Sequence, residues 1–203
     1  MKSQLRLLGG QRIQSPKGLA TRPTTSRVRE AAMNLLGRKI NNSNWLDLCS
    51  GSGVMSCEAL QRGAKRIVAI EKDRKTAKTC KANLISIAAS RNQKNCTKVI
   101  CNEVIRVLKQ GYRPNEREDG LDSRFDLVYL DPPYDSKIYE PALKNLLEGN
   151  WIKNNSLVIC EHSSSIVIDI PESWNEQDRR IYGRSALSLV TPQSTSSPIL
   201  VPG

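Results

Sequence analysis

Residues 45–60 of the chain read WLDLCSGSGVMSCEAL, an apolar run that turns through two glycines into a helical pattern. The run predicts a buried β-strand with Asp47 near its end, and residues 54–60 repeat apolar side chains at helical spacing. Gly51 and Gly53 allow a sharp turn and a close approach to a ligand, because they carry no Cβ. A strand, a glycine turn and a helix in this order predict a nucleotide-type pocket at the carboxyl end of the strand.

Further apolar runs follow this stretch, namely RIVAIE, TKVIC, FDLVYL and SLVIC. Helical patterns lie between the earlier runs, and residues 74–89 show such a pattern. Alternating strands and helices predict a parallel sheet with helices on both faces. The predicted fold class is therefore α/β and Rossmann-like, with a mostly parallel seven-stranded sheet. RIYGRSALSLV is predicted to form a last strand near the sheet edge.

The two ends of the chain differ from this alternating part. LRLLGGQRIQ has two short apolar arms around a glycine pair and predicts a small hairpin. The segment TTSRVREAAMNLLGRKI predicts an amphipathic helix that begins at a threonine or serine cap. We expect an N-terminal hairpin and basic helix extension over residues 1–40, the main Rossmann-like domain over 41–190 and a flexible tail over 191–203.

Composition limits the partners of the chain. Its 31 Lys and Arg against 20 Asp and Glu leave a formal net charge of +11, which attracts polyanions and nucleic acid above all. The six cysteines include no CxxC pair and His162 is the only histidine, so we expect reduced thiols and no metal. No stretch approaches the roughly 18 uninterrupted apolar residues of a membrane span. We expect a cytoplasmic monomer that binds no membrane.

The residues around the glycine turn indicate which cofactor it holds. Glu71 ends the run VAIE about 20 residues past the glycines, where an acid accepts hydrogen bonds from ribose hydroxyls. Ser56 stands where a dinucleotide turn has its third glycine, and Asp47 would repel a pyrophosphate but attract an ammonium group. S-adenosylmethionine, with a ribose, an ammonium, a sulfonium and no phosphate, is therefore the predicted cofactor. Asn102, after the third strand, is predicted to contact adenine or to cap the next helix.

A second motif, LVYLDPPYD at residues 127–135, ends another predicted strand. Proline fixes φ and has no N–H, so two prolines in series hold an extended loop with outward-facing carbonyls. The Asp131 carboxylate and the Pro132 carbonyl can accept both hydrogens of an exocyclic amine while Tyr134 stacks on the base. Two acceptors favour the pyramidal, electron-rich nitrogen that attacks a sulfonium methyl group. The motif predicts methyl transfer to the amine of a nucleic-acid base.

The combined motifs resemble those of the RsmD-type bacterial methyltransferases, which modify N2 of a guanine in small-subunit 16S ribosomal RNA. The resemblance runs over roughly residues 5–190 and rests on RLLGGQRI, RPTTSRVREAAMNLL, LDLCSGSGVMSCEAL and DLVYLDPPY. It implies a methyltransferase fold that uses S-adenosylmethionine. It also implies that the partner is ribosomal RNA within an assembling small subunit.

The same resemblance implies roles for individual residues. A cofactor pocket would be formed by Asp47, Ser50, Gly51, Gly53, Glu71 and Asn102. The guanine would be gripped by the catalytic residues Asp131, Pro132, Pro133 and Tyr134. A basic segment would close over cofactor and RNA through Arg22, Thr24, Thr25, Arg27 and Arg29. Ser56 departs from the family pattern, which usually has a glycine at this place.

Two other interpretations stay open at this point. DPPY also occurs in adenine-N6 enzymes that act on DNA, yet these often carry a long recognition segment, and nothing after residue 135 is long enough. Relatives that modify protein glutamine have asparagine at the position of Asp131. The other interpretation is a non-catalytic RNA-binding protein on the same fold. An intact Asp131 beside an intact glycine loop argues against it.

Overall fold

The computed structural model describes residues 4–16, 25–93, 96–114, 123–133 and 137–193. Its strands are β1 Gln4–Arg6, β2 Arg12–Gln14, β3 Asn44–Leu48, β4 Arg66–Ile70, β5 Thr97–Ile100, β6 Phe125–Leu130, β7 Ile152–Ser163, β8 Trp174–Tyr182 and β9 Ser185–Pro192. Its α-helices are α1 Ser26–Leu36, α2 Val54–Gln61, α3 Arg74–Ser90, α4 Val104–Leu108 and α5 Tyr139–Glu148, and a 3-10 helix spans Gly37–Ile40.

Seven strands form one sheet in the order β5-β4-β3-β6-β7-β9-β8. The five strands from β5 to β7 in this order are parallel, while β9 runs antiparallel to both β7 and β8. Helices cover both faces, because each pair of parallel strands needs a crossover that packs back onto the sheet. The predicted α/β fold with a mostly parallel seven-stranded sheet is confirmed.

The two faces of the sheet carry separate cores. Buried apolar side chains of α1, α2 and α3 pack against the first face, together with Trp45 and Tyr129 of the central strands. Side chains of α4 and α5 pack against the second face, together with Leu48, Leu130 and Trp151. Successive residues of a strand point to opposite faces. The side chains of Asp47 and Tyr129 therefore belong to the first face, the face of α1.

The N-terminal hairpin and α1 form a joined extension on the first face. β1 and β2 pair antiparallel, and the buried Leu7 and Ile13 join the core under α2 and α3. Gln14 N donates to Asn83 Oδ1 of α3 at 2.9 Å, which fixes the hairpin to the main domain. The hairpin and helix extension predicted from the sequence are present.

The C-terminal part of the sheet differs from the prediction. RIYGRSALSLV does not form one strand near the edge but contains the turn of a hairpin, with β8 at the edge and β9 inside it. Most β8 side chains between Trp174 and Tyr182 are exposed, so this strand lacks the apolar run by which the others were found. β9 continues through Pro192, while residues 194–203 of the predicted tail lie outside the described residues.

None of the helices in the described ranges is long and apolar enough to cross a membrane. All six cysteines are free thiols. Among the described residues, no group of three or more His, Cys, Asp or Glu side chains could hold a metal ion.

Candidate functional site

The ends of four neighbouring strands bring the predicted site residues to one edge of the sheet. In the order β5, β4, β3, β6, the strands are followed by Asn102, Glu71, the glycine loop 49–53 and Asp131. Ser50 N donates to Ile70 O at 2.9 Å, and Asp131 N lies 3.4 Å from Leu48 O. The glycine loop is therefore held between the end of β4 and the start of the DPPY segment.

The glycine loop has the left-handed backbone that its composition predicts. Gly51 and Gly53 have φ values of 54° and 76°, and Gly53 N donates to Ser50 O at 2.8 Å. A Cβ on Gly53 would lie 2.6 Å from Cys80 Sγ of α3, so only glycine fits there. A Cβ on Gly51 would meet nothing within 4 Å. The loop thus packs tightly on α3 below and leaves open space above Gly51.

Glu71 is fixed by the main chain of this loop. Its Oε2 accepts from Gly51 N at 2.9 Å and its Oε1 accepts from Asp73 N at 2.8 Å. Each carboxylate oxygen has two lone pairs, so both can still accept from a ligand hydroxyl. The side chain is only half-buried, which leaves that access open.

Asp47 lies beneath the loop rather than at its surface. It is 2% exposed, and Ser56 Oγ of α2 donates to its Oδ2 at 2.5 Å. Burial is the main reason why the pKa of Asp47 is raised to about 7, and the nearby Glu71 raises it further. The hydroxyl of Ser56 opposes that rise. Ser50, another predicted cofactor residue, is also buried, with Oγ 3.6 Å from Cys80 Sγ.

Asn102 follows β5 as predicted, on the side of Glu71 away from Asp131. Its Oδ1 accepts from Glu103 N at 2.9 Å, directly before α4 begins at Val104. The residue at the N-cap position is Glu103, which makes no side-chain capping bond. The half-buried Asn102 thus supports the start of α4 by a local hydrogen bond from Glu103 N.

Asp131 follows β6 at the same edge as the glycine loop. Its side chain is half-buried, Pro132 is buried and Pro133 is exposed. The Asp131 charge, together with that of Glu71, helps to raise the pKa of Cys49 to about 12, although burial is the larger cause. Cys49 is the first residue of the glycine loop, so the carboxylate acts electrostatically on that loop. Tyr134, the remaining member of the predicted catalytic group, lies outside the described residues.

A buried acid next to Asp131 was not found by the sequence reasoning. Glu161 of β7 is 3% exposed, and its Oε2 accepts from Tyr129 Oη at 2.5 Å. β6 and β7 are paired up to the residue before Asp131, which brings Asp131 level with Glu161 on the same face. Tyr139 Oη donates to the Glu161 main-chain O at 2.8 Å.

The signal for Glu161 was present in the sequence. The apolar run SLVIC ends directly before this acid, as VAI ends before Glu71 and LVYL ends before Asp131. Burial and the charges of Glu161 and Asp131 raise the pKa of Tyr129 well above its ordinary value, so the hydroxyl keeps its proton and donates to Glu161.

The predicted RNA-contacting segment is only partly described, and one of its members has a different role. Arg22 and Thr24 lie outside the described residues, while Thr25 caps α1 by accepting from Val28 N at 3.3 Å. Arg27 is exposed on α1. Arg29, in contrast, is 4% exposed, with Nε 3.7 Å from Glu58 Oε1 and Nη2 donating to Arg6 O at 2.8 Å.

The prediction that Arg29 contacts RNA is therefore corrected. The residue lies on the side of α1 that packs on α2, where Glu58 is 1% exposed and also accepts from Leu8 N at 2.9 Å. A guanidinium enclosed in this way ties the hairpin, α1 and α2 together. It leaves no room for a phosphate group.

Comparisons with known proteins agree with this architecture. A protein-family model described as "Conserved hypothetical protein 95" matches residues 6–191. Ribosomal RNA small subunit methyltransferase D of Haemophilus influenzae is 36% identical over 153 residues, which cover 75% of this chain and 74% of that protein. The protein of the same name from Escherichia coli K12 is 29% identical over 192 residues, or 92% of this chain and 89% of that protein.

A solved structure leads to the same grouping. The protein yhhF from Escherichia coli, described as a candidate methyltransferase, has a TM-score of 0.75 and 26% sequence identity to this chain. The match covers 94% of this chain and 99% of that one. The family model spans nearly all of the large sheet with its helices and most of the N-terminal hairpin. The chain therefore belongs to the family that this model describes, which is the RsmD family of methyltransferases.

Proposed function

We propose that this protein transfers a methyl group from S-adenosylmethionine to the exocyclic N2 amine of a guanine in small-subunit ribosomal RNA. The relatives named ribosomal RNA small subunit methyltransferase D, at 29% and 36% identity, support ribosomal RNA as the substrate class. The formal net charge of +11 suits such a polyanion. We also propose that the reaction takes place in the cytoplasm, on an assembling small subunit.

The observation that carries the proposal is the order of polar residues along the carboxyl edge. The four adjacent strands β5, β4, β3 and β6 are followed, in this spatial order, by Asn102, Glu71, the glycine loop and Asp131. An adenine, a ribose and a methionyl group would lie along this edge in the same order. The reactive methyl group would then be delivered beside Asp131, at the place where open α/β sheets bind their ligands.

The charge of the edge suits this cofactor. Asp47, Glu71, Asp131 and Glu161 all lie near it, and the pKa of Tyr129 is raised in part by three of these acids. Such a concentration of negative charge repels a pyrophosphate and attracts cations. S-adenosylmethionine carries an ammonium and a sulfonium, and when bound it supplies an electrophilic methyl group. Glu71 would accept from the ribose, and Asp47 would balance the ammonium from beneath the loop.

The DPPY segment would orient the amine. Asp131 would accept one N–H of the guanine amine and the Pro132 carbonyl would accept the other, which favours the pyramidal, electron-rich form of the nitrogen. Methyl transfer to the N2 lone pair would leave the sulfur–carbon electron pair on the cofactor and would make the amine acidic. Asp131 or water takes the proton that N2 loses. The substrate then leaves with one methyl group on a neutral amine.

Substitution of Asp131 tests this assignment. We expect Asp131→Asn and Asp131→Ala to lower the rate of methyl transfer by roughly 100-fold or more, because the acceptor that favours the reactive amine is lost. Cofactor affinity, followed by calorimetry, should change little. Asp169→Asn is a matched control, since it makes the same chemical change at an exposed loop position. An unchanged rate in both Asp131 variants would refute the role of the carboxylate.

The position of the new methyl group separates the competing functions. Labelled S-adenosylmethionine would be offered with naked small-subunit RNA, with assembling subunits and with adenine-rich duplex DNA, and the products would be digested to nucleosides. We expect N2-methylguanosine from ribosomal material alone. Label at N6 of adenine would favour the DNA enzyme. Binding of RNA without any transfer would favour a non-catalytic RNA-binding protein.

A further inference from the structure

The edge strand β8 lies level with the proposed catalytic residue. Asp131 is level with Glu161 of β7, Glu161 pairs with Leu187 of β9, and Leu187 pairs with Arg180 of β8. Side chains directly opposite each other on paired strands point to the same face of a sheet. Arg180 therefore projects from the same face as Asp131, three strand spacings or about 14 Å away.

A groove of about 470 Å³ runs between α1 and β8 on this face, and we call it the α1–β8 groove. Its helix wall carries Arg27, Ala31 and Asn34, which lie four and three residues apart and so share one side of α1. Its strand wall carries Arg180 and the half-buried Tyr182. The groove is open to solvent, and Tyr182 lies at the end of β8 nearest the catalytic edge.

The polar groups of the groove suit a phosphate backbone. Arg27 and Arg180 are exposed, and Asn34 and Tyr182 add neutral hydrogen-bond donors. The acids nearby are Glu30, in the helix wall, and Asp178, which accepts from Arg180 Nε at 2.7 Å. A guanidinium has five N–H donors, and an exposed ion pair of this kind is weak, so Arg180 can also bind a phosphate.

We propose that the α1–β8 groove binds the sugar–phosphate backbone of the RNA nucleotides next to the methylated guanine. This inference rests on the proposed function and extends it to the path of the RNA strand. Arg180 in the groove lies about 14 Å from Asp131 on the same face, so a strand whose target base is held at Asp131 reaches the groove through its neighbouring nucleotides. Arg27 and Arg180 each neutralise a phosphate from opposite walls.

The test compares two double variants of equal charge change. Arg27→Gln with Arg180→Gln removes both cations of the groove. Arg38→Gln with Lys39→Gln removes two exposed cations from the 3-10 helix Gly37–Ile40, which precedes the amino-terminal end of the central strand β3, away from the carboxyl ends that carry the site. Each protein is checked for its unfolding midpoint. Methyl transfer is then measured at several salt concentrations on a long RNA and on a short oligonucleotide that carries the same guanine.

We expect the groove variant to raise KM for the long RNA by roughly 10-fold to 100-fold, with kcat little changed. The slope of log affinity against log salt should become shallower by about 1.4, because each phosphate contact on single-stranded RNA contributes about 0.7. On the short oligonucleotide, which does not extend to the groove, the groove variant should raise KM much less than on the long RNA. The Arg38 and Lys39 variant should match the wild-type protein on both substrates apart from a small effect of net charge.

The outcomes separate this inference from the proposed function. If wild-type protein methylates the long RNA and both double variants show the same KM and salt slope, the groove does not bind RNA, while the proposed function stands. If the groove variant changes the mass of the protein in solution but not its RNA affinity, the groove is a contact between copies and the inference is wrong. If the wild-type protein methylates no RNA, the proposed function itself fails.

Discussion

Two buried acids near α2 are held in opposite ways. At the junction of the hairpin, α1 and α2, Glu58 is paired with Arg29 and accepts from Leu8 N. Under the glycine loop, Asp47 accepts from the hydroxyl of Ser56, and no cation of the described residues pairs with it. Burial raises the pKa of both carboxyl groups. The hydrogen bond from Leu8 N and, after it, the neighbouring guanidinium oppose that rise in Glu58, whereas the pKa of Asp47 reaches about 7.

This difference in partners indicates that Glu58 and Asp47 have different roles. An acid to which the fold supplies a cation stabilises that fold, because removal of either partner leaves a charge in a dry environment. An acid held only by neutral donors keeps its electrostatic attraction for a cation that arrives from outside. Asp47 is therefore the better candidate for a ligand ammonium group, and Glu58 is structural.

The largest expected effect comes from breaking the ion pair. Arg29→Ala should lower the free energy of unfolding by roughly 3–5 kcal/mol, because Glu58 stays buried without its cation. Chemical denaturation measures this loss. The double variant Arg29→Met with Glu58→Leu should recover most of it. A loss below about 1 kcal/mol in the single variant would show that the pair has the small value of an exposed one.

Asp47→Asn should have the opposite effect on stability. A folded-state pKa of about 7, raised from 3.8, means that the folded protein holds a proton that the unfolded chain has lost. The contribution of Asp47 to the free energy of unfolding is fully present below about pH 4 and is lost as the pH rises to about 7. The free energy of unfolding of Asp47→Asn, taken relative to that of the wild-type protein, should therefore be roughly 2–3 kcal/mol higher at pH 8 than at pH 5. Denaturation of both proteins at the two pH values tests this, and an equal gap at both would contradict it.

The pH dependence of cofactor affinity should report the same protonation of Asp47. If Asp47 binds the ammonium group as a carboxylate, it must lose its proton, so affinity should rise by up to about tenfold per pH unit below pH 7. Calorimetry between pH 5.5 and 7.5 measures the trend. Asp47→Asn should bind more weakly and without this dependence. Wild-type affinity that stays constant over this range would remove Asp47 from the cofactor site.

The smallest effect is expected from the hydroxyl that supports Asp47. Ser56→Ala removes the 2.5 Å hydrogen bond, which lowers the pKa of Asp47 in the wild-type protein. That pKa should rise further, and cofactor affinity at pH 7 should fall by about 1–2 kcal/mol. Ser52→Ala is a matched control in the same loop region. Equal affinities for the two variants would mean that Ser56 only fills space at the start of α2.

The candidate site was largely predictable because its parts are local. A strand, a glycine turn and a helix follow one another in the chain, and parallel strands end at the same edge, so the sequence predicts that Glu71, Asn102 and Asp131 lie there. Glu161 was missed, although its run has the same form. Its importance depends on the pairing of β6 with β7 and on the hydroxyl of Tyr129, 32 residues away along the chain.

The sequence by itself determined the alternating α/β order, the glycine loop and the acids at the strand ends, because backbone preferences and apolar periodicity act over a few residues. Only the tertiary structure decided that Arg29 is buried, that β8 forms the sheet edge and that Arg180 shares a face with Asp131. A helical pattern leaves the flanks of an apolar face undefined, and the acid that draws Arg29 inward lies on another helix. The place of a polar edge strand likewise depends on its partner rather than on its own residues.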